Sequence, residues 1–221
     1  MGRVGQGVAT PKYKFLLFCL FVVAYLFFYI LPNFRPFLPP SLLPRLSLDY
    51  LVPLVPWSFL VYVSDYVLVA SVTLWLTEIE EFNSFVRMMF FSLIVCGTFF
   101  LAFPTTYPRP EYPAVANSLV GFAMYLVHEF DTPNNCFPSM HVALTGVATW
   151  AIRTRGARVF LWYLVWALAV FLSTLTTKQH YFLDVIGGVA VVVTAAAFDW
   201  FVAYRSLIRE RFQKAFLFHK G

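Results

Sequence analysis

Six apolar runs, at about residues 15–31, 57–76, 86–103, 139–152, 159–175 and 181–204, alternate with short polar or proline-rich connections. A membrane-spanning helix consumes about 20 apolar residues, so these runs limit the fold more than any other feature. Charge is correspondingly scarce: 12% of the 221 residues are charged and 60% are hydrophobic. A soluble domain carries about twice that share of charge. The pattern excludes a secreted disulfide scaffold, a nucleic-acid-binding domain and a disordered tail. It predicts an all-α, polytopic membrane bundle of six transmembrane helices. Cys19 and Cys96 lie inside apolar runs and Cys136 in a polar stretch, so the cysteines define no framework. Arg3, Lys12 and Lys14 precede the first run as in a signal peptide, but no small-residue cleavage pattern follows. An uncleaved first span is expected.

The connections carry their own signals. Repeated prolines across residues 32–56 deny that stretch a regular helix and put it at the membrane surface. An acidic linker, TEIEEFNS, precedes the third run, and residues 104–138 form the longest non-spanning region. Helical spacing within 113–130 predicts a surface helix. The tail 205–221 alternates cations with Phe and Leu, as an interfacial amphipathic helix does, and its His219 reads as solvated. No repeat or second domain is visible, so residues 1–221 read as one integral-membrane domain with its chemistry within 104–188. With the N-terminus inside, 12 of the 16 cations fall on the inner side; only Arg35, Arg45, Arg109 and Lys178 fall outside. That asymmetry predicts cytoplasmic termini. The net charge of +5 then marks topology rather than nucleic acid. The expected setting is a bacterial inner membrane, with any active site facing the periplasm or lumen.

Three outer connections hold the rare polar groups. His180 and Asp184 are four apart and share a helix face. A carboxylate there can hold one imidazole nitrogen and leave the other free as a nucleophile; the alternative is a structural hydrogen bond at a helix start. Asp184 lies within an apolar span, where ionisable groups tend to be functional, and Lys178 beside it suits an anionic substrate. Pro138 and Ser139 mark a helix start whose N–H groups can bind phosphate. His141 falls in the first turn; alternatively, Ser139 is only a cap and His141 an interfacial polar residue. Arg109 stands between two prolines, and its guanidinium can grip a phosphate through paired hydrogen bonds, unless it only orders a headgroup at the surface. His128 in the surface helix is a possible headgroup contact. Asp65, in the second run, is either a second headgroup contact or a polar packing group. No metal or cofactor is expected.

Together the three segments resemble the type 2 phosphatidic acid phosphatase superfamily, which includes lipid phosphate phosphatases and vanadium haloperoxidases. Its motifs are K-x6-R-P, P-S-G-H and S-R-x5-H-x3-D. Here Arg109–Pro110 match the first, with Ala102 at the lysine position. Pro138-Ser139-Met140-His141 matches the second, with Met for Gly. Ser173, His180 and Asp184 match the third, with Thr174 where arginine belongs. The resemblance covers the second half of the chain and implies a membrane bundle with its site at the outer face.

By that resemblance His180 attacks phosphorus and carries a phosphohistidine, Asp184 orients it, and His141 protonates the departing oxygen and later activates the acceptor. Arg109 and Ser139 hold the phosphoryl oxygens, and Lys178 replaces one of the two missing cations. The wording NCFPSMH with TTKQHYFLDVIGG resembles the branch containing inositol-phosphorylceramide synthase, with sphingomyelin synthases as more distant relatives. Those members transfer a phosphoalcohol headgroup. The function implied is therefore a lipid phosphoesterase whose partner is a membrane phospholipid or lipid phosphate. Headgroup transfer to a lipid hydroxyl, prenyl diphosphate hydrolysis and lipid binding without reaction stand as alternatives, as does a purely structural membrane subunit.

Overall fold

Pro11 opens the first long helix, α1 (Pro11–Phe34), and the Thr10 hydroxyl accepts the Tyr13 amide at 3.3 Å. A capping oxygen and a proline with no amide to satisfy are what a helix start favours. The computed structural model describes residues 7–112 and 118–218, with side chains up to residue 209. Residues 113–117 of the expected surface helix therefore lie outside the described residues, as do Arg3, His219 and Lys220. The side chains of Arg211 and Lys214 lie outside them too.

Helix accounts for 74% of the chain, in keeping with an all-α membrane protein. After α1 come α2 (Ser58–Trp75), α3 (Ile79–Ala102), α4 (Leu119–Phe130), α5 (Met140–Ala151), α6 (Ala157–Thr176) and α7 (Phe182–Phe218). Among the described residues, five helices are long and apolar enough to cross a membrane: α1, α2, α3, α6 and the Phe182–Arg209 part of α7. The expected fourth span is shorter than the other runs. Its helix α5 covers 12 residues and continues as a 3-10 turn over Ile152–Arg155. Nine α5 residues are buried, because α2, α3, α6 and α7 surround it. By contrast Phe15, Leu16, Phe18 and Val23 of α1 are exposed, as side chains in contact with lipid are.

Several boundaries differ from those the hydropathy pattern predicts. Helix α3 begins at Ile79, so Glu80 and Glu81 of the expected acidic linker form its first turn. Carboxylates are stabilised there by the positive end of the helix dipole, and Glu81 also pairs with Arg155. Pro32 does not end α1, which runs one turn past the expected limit to Phe34. Helix α2 is interrupted at Ser64, whose amide bonds to the Val61 carbonyl and whose hydroxyl accepts from the Trp166 indole at 2.8 Å. The tail is not a separate helix, since α7 runs unbroken to Phe218.

The proline-rich stretch forms short pieces only: strand β1 (Ser41–Leu42) and one turn over Ser47–Leu51. Strand β1 pairs in parallel with β2 (Thr105–Thr106), which pins the stretch to the loop after α3. A charged pair also links two spans. Arg87 of α3 donates to Asp199 of α7 at 2.6 and 2.9 Å, and the Ser84 hydroxyl donates to the same carboxylate. Ionisable groups at membrane depth are tolerated when paired in this way.

Candidate active site

Helices α5 and α7 meet at their N-terminal ends, and the sequence there permits a close approach. A Cβ on Gly188 would stand 2.7 Å from the Ser139 carbonyl oxygen and 2.7 Å from the Val142 Cβ. Without one, the Ser139 amide donates to the Asp184 carbonyl at 3.0 Å and locks the two helix starts together. The Ser139 hydroxyl caps α5 by accepting the Val142 amide at 3.4 Å. Ser139 is fully buried, and two of the N–H groups at this helix start are already partnered.

This junction brings His141 and His180 together, with ring centroids 6.0 Å apart. Each imidazole is backed by a carboxylate. His180 Nδ1 lies 3.2 Å from Asp184 Oδ2, which also accepts the Tyr181 amide at 2.8 Å. That leaves His180 Nε2 as the nitrogen free to react. His141 Nδ1 lies 2.7 Å from Asp65 Oδ2, contributed by α2. Asp65 is therefore a direct partner of His141, not the separate headgroup contact or packing group weighed from sequence. Both histidines and both carboxylates are buried.

The other nitrogen of His141 meets a residue that sequence reasoning missed. Tyr62 Oη sits 2.6 Å from His141 Nε2 and also donates to Asp131 Oδ2 at 3.2 Å. Asp131 in turn accepts from Tyr29 Oη at 2.8 Å and from Asn33 Nδ2 at 3.3 Å. Nothing in the motifs marks these four. The available signal was Asn33 beside Pro32 and an aspartate at the end of a surface helix, both weak.

Arg109 reaches this region without being wholly free. Its guanidinium donates to the Asp131 and Thr132 carbonyls and lies 3.7 Å from the Asp131 carboxylate. Burial opposes its charge, but Asp131 and the neighbouring Tyr107, Tyr112 and Tyr62 more than offset this and raise its pKa. Arg109 Nε is buried and, among the described residues, has no partner; the same holds for Tyr107 Oη. Tyr107 stacks on Tyr181 with ring centroids 4.2 Å apart, and burial pushes its phenol well above the ordinary value. Unsatisfied buried donors of this kind are suited to a phosphoryl oxygen.

Lys178 and His128 are placed elsewhere. The Lys178 ammonium donates to the Val52 and Asp49 carbonyls at 2.5 and 3.2 Å, bracing the proline-rich stretch against the turn before His180. Lys178 has φ 57°, which directs its side chain away from the α-helical course of α6. His128 is exposed in the last turn of α4. Of the two positions lacking the motif cation, Ala102 is exposed at the end of α3. Thr174 is fully buried and donates to the Phe171 carbonyl at 2.7 Å.

A cavity of about 520 Å³ opens beside this cluster. Helices α1, α2, α3 and α5 wall it almost entirely with apolar side chains, from Lys14 and Phe15 at one end to Tyr29, Asp65 and His141 at the other.

A helical membrane chain with two carboxylate-backed histidines at one helix junction has the construction of a phosphoryl-transfer site rather than of a channel or a structural subunit. Comparison with known families agrees: residues 54–198 match the PAP2 superfamily, and the chain belongs to it. Membership supports phosphatase-type enzyme activity. No curated protein sequence matches the chain.

Proposed function

We propose that this protein is an integral-membrane lipid phosphoesterase working through a phosphohistidine on His180. The observation that carries this reading is the pair of imidazoles 6.0 Å apart, each held by its own carboxylate, at the mouth of an apolar cavity. His180 Nε2 attacks phosphorus, and the bond to the lipid or headgroup oxygen breaks. His141 Nε2 donates the proton which that oxygen takes up. Water or an acceptor hydroxyl then gives a proton back to His141 as its oxygen displaces His180. Arg109 Nε, the Ser139 hydroxyl and the Tyr107 hydroxyl are the donors for the phosphoryl oxygens. The cavity takes the hydrocarbon of the same lipid. Six spans, cytoplasmic termini and a site at the outer face fit the cation asymmetry.

Within this class we favour a phosphodiester substrate, and therefore headgroup cleavage or transfer of the inositol-phosphorylceramide synthase type. Ala102 and Thr174 replace two motif cations, and Lys178 is committed to backbone carbonyls. A phosphodiester carries one negative charge where a monoester carries up to two, so a cation-poor site suits it. The test is turnover of micellar phosphatidic acid, phosphatidylinositol and a prenyl diphosphate by purified protein and by His180→Ala. Diester turnover that vanishes in the variant is expected. Rapid phosphate release from phosphatidic acid with none from the diester would sink the headgroup reading, and turnover equal to wild type in His180→Ala would sink the nucleophile.

A further inference from the structure

Tyr62 is buried and bonded at once to the second nitrogen of His141 and to Asp131, a carboxylate with no part in the mechanism above. We propose that Tyr62, with Asp131 as its second acceptor, is a positioning residue that lets buried His141 gain and lose its catalytic proton without an unsatisfied hydrogen-bonding group. The inference rests on the reading of His141 as the acid–base residue.

A buried imidazole must be satisfied in both protonation states, and each state asks the opposite of its neighbour. Neutral His141 donates from Nδ1 to Asp65, so Nε2 needs a donor, and the Tyr62 hydroxyl supplies one at 2.6 Å. Protonated His141 donates from both nitrogens, so Nε2–H needs an acceptor. The Tyr62 oxygen can accept it only if its own hydrogen has somewhere to go. Asp131 Oδ2, 3.2 Å away, is that place. One rotation of a hydroxyl hydrogen therefore serves both states, and an unsatisfied buried group costs about 1–3 kcal/mol.

Asp131 is built to remain a carboxylate while doing this. Its other oxygen accepts from Tyr29 and Asn33, and Arg109 lies 3.7 Å from Oδ2. The same arrangement orders the chemical step. The departing oxygen must compete with Tyr62 for the Nε2 proton. When it takes that proton, the Tyr62 hydrogen turns from Asp131 back to the Nε2 lone pair. Proton uptake from water or the acceptor reverses this, and no proton leaves the Tyr62 oxygen in either direction. Other groups that face His141 are fewer: Tyr66 on α2, whose ring centroid is 6.2 Å away, and His180. Neither makes a hydrogen bond to His141 among the described residues, which leaves Tyr62 as the switching contact.

The test needs no substrate. Full-length protein with ¹⁵N-labelled histidine, in detergent micelles, is titrated by NMR, and His141 is assigned by the loss of its signals in His141→Gln. Tyr62→Phe keeps the ring in place and Asp131→Asn keeps the shape of the carboxylate. Each is expected to lower the pH at which His141 takes its second proton by about one unit, the size of one hydrogen bond. The double variant is expected to move it no further than Tyr62→Phe alone, because Asp131 acts through Tyr62. The His180 midpoint stays within a few tenths of a unit. Where lipid turnover is measured, the basic limb of the pH–rate profile moves the same way and kcat falls by about 10- to 100-fold with KM nearly unchanged. An unmoved His141 midpoint in Tyr62→Phe, or additive shifts in the double variant, would overturn the proposal. Undiminished turnover in His180→Ala would instead overturn the enzymatic reading and leave the titration to decide the relay.

Discussion

The Asp65–His141 contact offers the sharpest energetic test. The two groups come from helices α2 and α5, are both buried, and meet at 2.7 Å. In Asp65→Asn the amide oxygen can still accept the Nδ1 proton, so the tautomer and ring position are retained. What is lost is the negative charge that stabilises His141 when it carries the proton for the leaving group. A charge-assisted hydrogen bond of this kind contributes about 1.5–3 kcal/mol, and each 1.36 kcal/mol of transition-state stabilisation is about tenfold in rate. The expected outcome is therefore a fall in kcat of about 10- to 150-fold, with KM within about threefold of wild type. The assay is steady-state turnover of a micellar phospholipid by purified protein, normalised to the folded fraction in detergent. Asp65→Ala, which also frees the imidazole to rotate, falls further. An Asp65→Asn enzyme within twofold of wild type would refute the assignment of Asp65 as the partner of the catalytic acid.

Other contacts give separate outcomes. Lys178→Gln leaves kcat within about threefold of wild type, because its ammonium bonds the Asp49 and Val52 carbonyls and not substrate; its cost appears as a lower midpoint in thermal unfolding. Gly188→Val forces a side chain against the Ser139 carbonyl at a position where even a Cβ stands 2.7 Å away. It destabilises the protein by about 1–3 kcal/mol in a detergent melt and reduces turnover per folded molecule, since both helix starts shift. Asp199→Ala leaves Arg87 without its partner between α3 and α7, and lowers stability by about 1.5–3 kcal/mol with activity per folded molecule unchanged. Ala70→Trp narrows the apolar cavity, so KM for a long-chain lipid rises at least fivefold while a short-chain analogue is unaffected.

The fold was legible wherever one physical rule acted alone. Long apolar runs with no charge have one stable solution in hydrocarbon, and α1, α2, α3, α6 and α7 appear where hydropathy puts them. Ends were less legible because local chemistry overrides hydropathy there. Glu80 and Glu81 read as a linker by polarity, yet they favour the first turn of a helix. The fourth run misled by its apolarity: α5 is apolar because it is buried among other helices, and hydropathy does not distinguish protein from lipid as the neighbour.

The candidate site divides in the same way. His141, His180 and Asp184 were visible because spacing and motif place them on two helix starts. Asp65 was visible as an ionisable residue in an apolar run, but its partner was not, since its contact with His141 joins residues 76 apart in sequence. Tyr62 and Asp131 were invisible for a related reason. Tyrosine is common at membrane interfaces, and nothing local distinguishes one that bonds a histidine from one that anchors a helix. Lys178 shows the opposite error, in which proximity in sequence to His180 suggested a shared pocket. A left-handed backbone at Lys178 instead turns the ammonium onto the proline-rich stretch.

The central claim is that His180 becomes covalently attached to phosphorus. The most direct measurement is mass spectrometry of the protein quenched during turnover and digested at alkaline pH, where phosphohistidine survives. The account predicts an adduct on the peptide bearing His180, absent in His180→Ala and accumulating in His141→Ala if the second step needs that acid–base group. Its mass also reports the substrate: a bare phosphoryl group for a monoester, a phosphoryl group with its alcohol for a transferred headgroup. Turnover without any adduct on His180, or an adduct on another residue that persists in His180→Ala, would contradict it.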